Sequence, residues 1–226
     1  MGASLGCTQS RTPILLPQIV ARSDAPAATS KSGDAEQQLS YFDTPLLQLV
    51  CRRFPWLVGL MLVQSVSSVV VEHFSSLVER HVVLASFLTM LVGGGGNSSG
   101  QTVAELVRML GTGEVRGSQL PIVLAREFAI GGVLAILLGA CAYPRVLLLS
   151  SHASKMDALT IAIAYALIVV MANAIGVVVA MTLHRCGMAA VGSPPVVQVT
   201  VDVLGVTVTM LVAQAILGGT PGVATD

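Results

Sequence analysis

The chain has 226 residues, of which 54% are hydrophobic and only 11% charged, with zero formal net charge at pH 7 and a mean hydropathy of +0.80. That balance excludes an ordinary soluble domain, and it leaves no bulk basic surface for binding nucleic acid. Cys7, Cys51, Cys141 and Cys186 are widely scattered and form no C-x-x-C pair; two lie in or beside apolar runs, where a small buried hydrophobe is expected, and the set says little about redox compartment.

Residues 1–45 stand apart. They are rich in Ser, Ala, Gln and Pro and lack a long apolar stretch. A disordered cytosolic tail is expected there, with an organellar targeting segment as the alternative. Long runs without charge follow at Phe54–Val71, Val82–Ala104, Phe128–Pro144 and Ala158–Leu183, and a fifth from Cys186 to Thr225 is broken only by Asp202. A bilayer core requires about 20 predominantly apolar residues per helix. Strands would leave backbone groups unpaired in lipid unless a barrel closed, and these runs lack the alternation of barrel strands. The expectation is an all-α integral membrane protein with five spans, near 54–75, 82–110, 119–148, 156–183 and 194–218.

Local signals refine the ends. Pro55 suits the first turn of the first span, and Pro194 and Pro195 suit the start of the fifth, with Ser193 as cap. With the N-terminus inside, the cytosolic segments carry Arg52, Arg53, Arg108, Arg116, Arg126 and Arg185, against Arg80, Arg145 and Lys155 outside. This bias predicts a cytosolic N-terminus and a C-terminus on the opposite side.

The fifth span holds the most informative residue. A charge at mid-membrane costs roughly 2.5–3.5 kcal/mol on insertion scales, and such groups mark cavities or ion paths. Gln198, Asp202, Gly205 and Thr209 fall at i, i+4, i+7 and i+11, which places them on one helical face. Oxygen acceptors on that face suit a hard cation; Mg²⁺ keeps several waters and touches one or two carboxylates. Asp202 acting only as helix glue is the alternative, but no Arg or Lys lies mid-span to pair with it.

Lesser stripes occur elsewhere. Gln64, Ser68 and Glu72 are spaced four apart in the first span, and Asn173 lies with Gly176 in the fourth; interhelical packing is the ordinary role of such residues. "VGGGGNSSGQTVAELVR" in the second span predicts either close backbone approach or a helix break whose carbonyls face a cavity. A surface loop is the third possibility. There is no G-x-x-x-x-G-K-[ST], G-x-S-x-G or H-E-x-x-H, so neither an enzyme nor an organic cofactor is expected. His73, His81, His152 and His184 fall at span ends, where interfacial roles are expected.

From about Arg53 onward the chain resembles the membrane domain of the MgtE family of divalent-cation transporters. "RFPWLVGLMLVQSVSSVVVEHFSSLV" is similar to that family's R-x-P-W-L opening, and "GGGGNSSGQ" to its G-G-N-x-G-x-Q element. "AREFAIG" is similar to the third-span R-E element, and "SPPVVQVTVDVLG" to the Ser-Pro, Asp-x-x-Gly signature. Ser99 replaces the middle Gly of the second motif, and Thr89 stands where the family usually has Pro.

The resemblance implies a homodimer of five-span subunits, 46–226 here, in a lipid bilayer, with a pore on the twofold axis lined by the second and fifth spans. It places the central Mg²⁺-binding carboxylate on Asp202 and a pore-lining group on Asn97, flanked by the motif positions Gly96 and Gln101. Mg²⁺ is then the transported ion. The soluble regulatory regions of bacterial members have no counterpart in these residues, so closure by them is not expected. Alternatives are a Na⁺- or H⁺-coupled divalent-cation exchanger and a non-conducting membrane partner subunit.

Overall fold

The computed structural model describes residues 44–186 and 193–218, and all of its helices belong to one compact unit, Pro45–Asp226. Among the described residues every element is helical: α1 Leu46–His73, α2 Ser75–Arg80, α3 Val82–Gly111, a 3₁₀ turn Gly117–Gln119, α4 Leu120–Leu149, α5 Lys155–Arg185 and α6 Ser193–Leu217. Five of them are long and apolar enough to cross a membrane. The all-α, five-span expectation holds, and the chain is a multi-pass integral membrane protein. The tail expected over 1–45 lies outside the described residues except for Thr44 and Pro45.

Two boundaries differ from the expectation. α1 begins at Leu46, so Pro55 sits inside the helix and not in its first turn. Hydropathy marks where lipid begins, whereas "LLQLVCRR" continues the helix into the polar zone ahead of it. Pro55 removes one backbone donor there, a loss tolerated in membrane helices. The second span runs unbroken through its four glycines, so the alternative of an interrupted helix is overturned. α6 begins at Ser193, with Pro194 and Pro195 in its first turn; the residues before it lie outside the described set.

α5 is the hub. It packs against α3, α4 and α6, whereas α1 leans on α6 and stands away from α3. Lipid tails are as apolar as leucine, so helix association in a bilayer depends on close packing of small residues. The buried face of α4 is such a seam, Gly131, Ala135, Gly139 and Ala142. A methyl group on Gly139 would lie 3.2 Å from the Ala162 carbonyl oxygen, which shows how near α4 and α5 approach. The glycine run of α3 works in the same way. Gly94 lies under the Tyr165 ring, Gly95 against Ile168 and Val201, and Gly96 under the Gln198 amide.

The starts of α3 and α5 are tied together. Ser154 and Asp157 form a reciprocal capping box at the α5 N-terminus, and the other Asp157 oxygen pairs with His81 Nδ1 at 2.9 Å. His81 was expected at an interface; it is 8% exposed, packed among apolar side chains at the first residue before α3. α1 has no buried residue, and the outer faces of α1 and α4 show Phe54, Leu57, Met61, Ile122, Val133 and Ile136. These are the surfaces that meet lipid or another chain.

Candidate cation site

Asp202 lies on α6 and is 9% exposed. One helical turn earlier, Gln198 Nε2 donates to its Oδ1 at 2.6 Å. From α1, Gln64 Nε2 donates to its Oδ2 at 2.8 Å. Each carboxylate oxygen therefore has one amide donor. The amides must present N–H here, because a carboxylate is acceptor-only when ionised. Among the described residues no Lys or Arg forms an ion pair with Asp202.

A groove of about 440 Å³ opens beside this carboxylate, bounded by Gln64, Ser67 and Ser68 of α1, Thr89 and Gly93 of α3, and Asp202 itself. Leu88, Val92 and Val206 supply an apolar wall. The groove exists because α1 packs on α6 without closing on α3. Ser67 Oγ is buried on this side with no hydrogen-bond partner among the described residues. An unmet hydroxyl in a low-dielectric interior costs about 1–3 kcal/mol, so the position favours a water or the hydration shell of an ion.

The donor set is one carboxylate, two carboxamides and hydroxyls. No group of three or more His, Cys, Asp or Glu converges among the described residues. Such a site suits a hard cation that keeps part of its water and touches the protein at a few oxygens. Rotating either amide exchanges its N–H for a carbonyl oxygen, which converts a donor to the carboxylate into a further acceptor for a cation.

The residues singled out from the sequence do not all meet. Gln64, Gln198 and Asp202 come together, Gly96 forms the bed for Gln198, and Ser68 borders the groove. Gly205 packs near Val92 and Ile168, and Thr209 is fully buried with its hydroxyl donating back to the Gly205 carbonyl at 2.7 Å. Asn97 is on the exposed surface of α3, and Glu72 is exposed near the end of α1. Gln101 borders a different cavity, between α3 and α4, which Asn173 also lines. Asn173 there accepts a 2.6 Å hydrogen bond from Ser98.

Three features escaped the sequence reading. Ser67 is offset by one residue from the Gln64–Ser68 stripe. The Thr102–Glu127 bond joins α3 to α4 at 2.9 Å; the sequence marks Glu127 within the R-E element of "AREFAIG" but not its partner. The His81–Asp157 tie had a readable half, the S-x-x-D capping spacing at Ser154.

Comparison with known proteins follows the same course. The profile of the MgtE family, described as divalent cation transporters, matches residues 88–212, a stretch that includes α6 through Asp202 and most of α3. The magnesium transporter MgtE of Thermus thermophilus is 28% identical over 180 residues, covering 79% of this chain and 39% of that protein. The Bacillus subtilis magnesium transporter MgtE is 24% identical over 181 residues, again 39% of its length, and the Enterococcus faecalis protein of that name is 27% identical over 116. This chain thus spans about two fifths of the length of the first two relatives. Since the family profile covers more than half of the 226 residues, the chain belongs to the MgtE family.

Proposed function

We propose that this chain carries Mg²⁺ across a membrane and that Asp202 is its central ion-binding group. The observation that carries the reading is the Asp202 carboxylate, held by two neutral amides, bordering a groove with polar groups on one side and with no ion-paired Lys or Arg among the described residues. The magnesium transporters among its relatives support the choice of ion.

In this reading two copies pair about a twofold axis, with α3 and α6 as the principal lining and Asn97 on the exposed side of α3 available to the pathway. Two carboxylates facing one axis repel strongly in low dielectric unless a cation lies between them. A partly hydrated Mg²⁺ supplies that charge, with its waters bridging to Gln64, Gln198 and Ser67. Conduction requires a site that attracts the ion yet releases it, and neutral amides around a single acid per subunit meet that need better than a cage of acids. A potential of 100 mV contributes about 4.6 kcal/mol to inward movement of a divalent ion, twice the single-charge value. The reading is therefore channel-like uptake by residues 46–226, with the N-terminus cytosolic, and no enzymatic step.

The test is Mg²⁺ uptake by cells that require it, or by liposomes holding the purified chain, with Asp202→Asn and Asp202→Ala. Uptake is expected to fall to background at equal membrane abundance. Undiminished flux in both variants removes Asp202 from the mechanism, and flux that requires an opposing Na⁺ or pH gradient replaces conduction with exchange.

A further inference from the structure

α3 has a second polar face. Gly93, at the Asp202 groove, and Thr102 are nine residues apart, about two and a half turns, so they point to opposite sides of the helix. On the far side α3 and α4 are only lightly packed, and α5 forms the floor between them. A cavity of about 150 Å³ lies there, lined by Ser98, Gln101, Thr102, Glu127 and Asn173. Glu127 is half-buried, about 10 Å into α4 at 1.5 Å per residue. Its Oε2 accepts from Thr102 Oγ1 at 2.9 Å. Ser98, Thr102 and Asn173 are 7%, 7% and 1% exposed. Gly131 permits the approach of Asn173, whose Nδ2 would lie 3.1 Å from a methyl group at that position.

The charges around this site are only partly paired among the described residues. Glu105, on the cavity rim, is bound to Arg108 at 2.6 and 3.1 Å, and Arg108 also lies 3.5 Å from Glu114. Among the described residues no Arg or Lys forms an ion pair with Glu127; Arg126, its chain neighbour, lines with it the adjoining surface cavity that also takes in Glu105, Glu114 and Gln119. What remains is a half-buried carboxylate bonded to Thr102, between a small niche shared with Ser98 and Asn173 and that surface cavity.

We propose that Glu127, Thr102, Ser98 and Asn173 form a second cation site, separate from Asp202, that takes a small monovalent cation of the hardness of Na⁺. A carboxylate placed in a membrane helix calls for a partner. Hydroxyl and amide oxygens are hard neutral ligands that replace the loosely held water of a monovalent ion, whereas Mg²⁺ sheds its water reluctantly. The site's separateness from Asp202 follows from the two faces of α3. Its preference for one charge over two rests on the proposed pairing of subunits, which brings two copies of Asp202 to one axis while Glu127 lies toward the opposite face of α3.

The test uses the full chain in nanodiscs, with melting temperature followed against NaCl and against choline chloride at matched ionic strength. Na⁺ is expected to raise the melting temperature in wild type and in Asp202→Asn alike, and Glu127→Gln is expected to abolish the effect. Thr102→Val, which keeps the charge, is expected to raise the half-saturating Na⁺ roughly three- to tenfold, the loss of one neutral ligand oxygen. Absence of any Na⁺-specific shift in wild type, or a shift surviving in Glu127→Gln, overturns the proposal. So does stabilisation by acid in choline alone, which assigns the niche to a proton. If Glu127→Gln does not fold, an unchanged half-saturation in Thr102→Val overturns it. Because Asp202→Asn keeps the Na⁺ response, failure here and failure of the Mg²⁺ reading give different patterns.

Discussion

Gln64 of α1 donates a 2.8 Å hydrogen bond to Asp202 of α6 across 138 positions of sequence, and this bond ties the most exposed helix to the candidate ion site. Gln64→Leu keeps the volume while removing both the donor and the amide oxygen. Hydrogen bonds to charged groups contribute about 1.5–3 kcal/mol, so the Mg²⁺ concentration for half-maximal flux is expected to rise roughly tenfold or more. Flux from reconstituted liposomes measures it. An unchanged half-saturation would separate Gln64 from ion binding and leave it a packing residue.

Gln198 holds the other oxygen and lies over Gly96. A methyl group at Gly96 collides with the amide, whose end is a flexible side chain and can swing away. Gly96→Ala is therefore expected to release Gln198 from Asp202 and weaken Mg²⁺ flux with little loss of stability. Gly95→Ala differs, because it meets the branched side chains of Ile168 and Val201 inside the packed core. Overpacking of that kind costs about 1–3 kcal/mol, and the melting temperature in detergent is expected to fall. Gly132→Ala in α4 meets nothing within 4 Å and is expected to leave stability unchanged or higher, since Ala is the better helix former.

The contrast among these glycines shows what the sequence could and could not disclose. Helix propensity argues against four glycines in a helix, and the bilayer argues against leaving it, since free backbone groups have no water to bond. The second effect is larger, and contacts with Tyr165, Ile168, Val201 and Gln198 explain why glycine stands there. The five apolar runs were legible because bilayer thickness sets a length that composition reveals directly. The Gln198–Asp202 pair was legible because i, i+4 neighbours meet on any helix. The partnership with Gln64 was not, because periodicity shows which residues share a face and not which face of another helix they meet. For the same reason Gln101, expected to flank a pore-lining Asn97, borders the cavity beside Glu127 on the other side of α3, where Asn173, read as an interhelical packing residue, bonds to Ser98.

His81 and Asp157 join the starts of α3 and α5 at 2.9 Å in an apolar setting, with His81 Nε2 left without a partner among the described residues. Asp157 also closes the capping box with Ser154. Asp157→Ala leaves Ser154 as the cap but removes the carboxylate that accepts from it, and it strands a buried imidazole N–H, two losses of about 1 and 1–3 kcal/mol. A drop of several degrees in melting temperature is expected. His81→Leu removes both imidazole nitrogens together and fills much of the space, so its loss is expected to be smaller. Equal or reversed losses would show that the tie is not a stabilising contact.

Ser67 provides a test of the groove that does not depend on transport. Its hydroxyl is buried without a partner among the described residues, so Ser67→Ala removes an unmet polar group and is expected to leave the ion-free melting temperature unchanged or raised. Ligand binding to the folded state alone stabilises it by about 2.7 kcal/mol at a hundredfold excess over Kd, so Mg²⁺ is expected to raise the wild-type melting temperature over an EDTA control. Ser67→Ala should need more Mg²⁺ for the same rise, because a water bound to the ion loses one of its acceptors. Asp202→Asn should show no rise at all. A Ser67→Ala protein with an unchanged Mg²⁺ response would place the ion farther along the groove, toward Thr89 and Gly93, where α3 supplies the lining and the hydroxyl is out of reach.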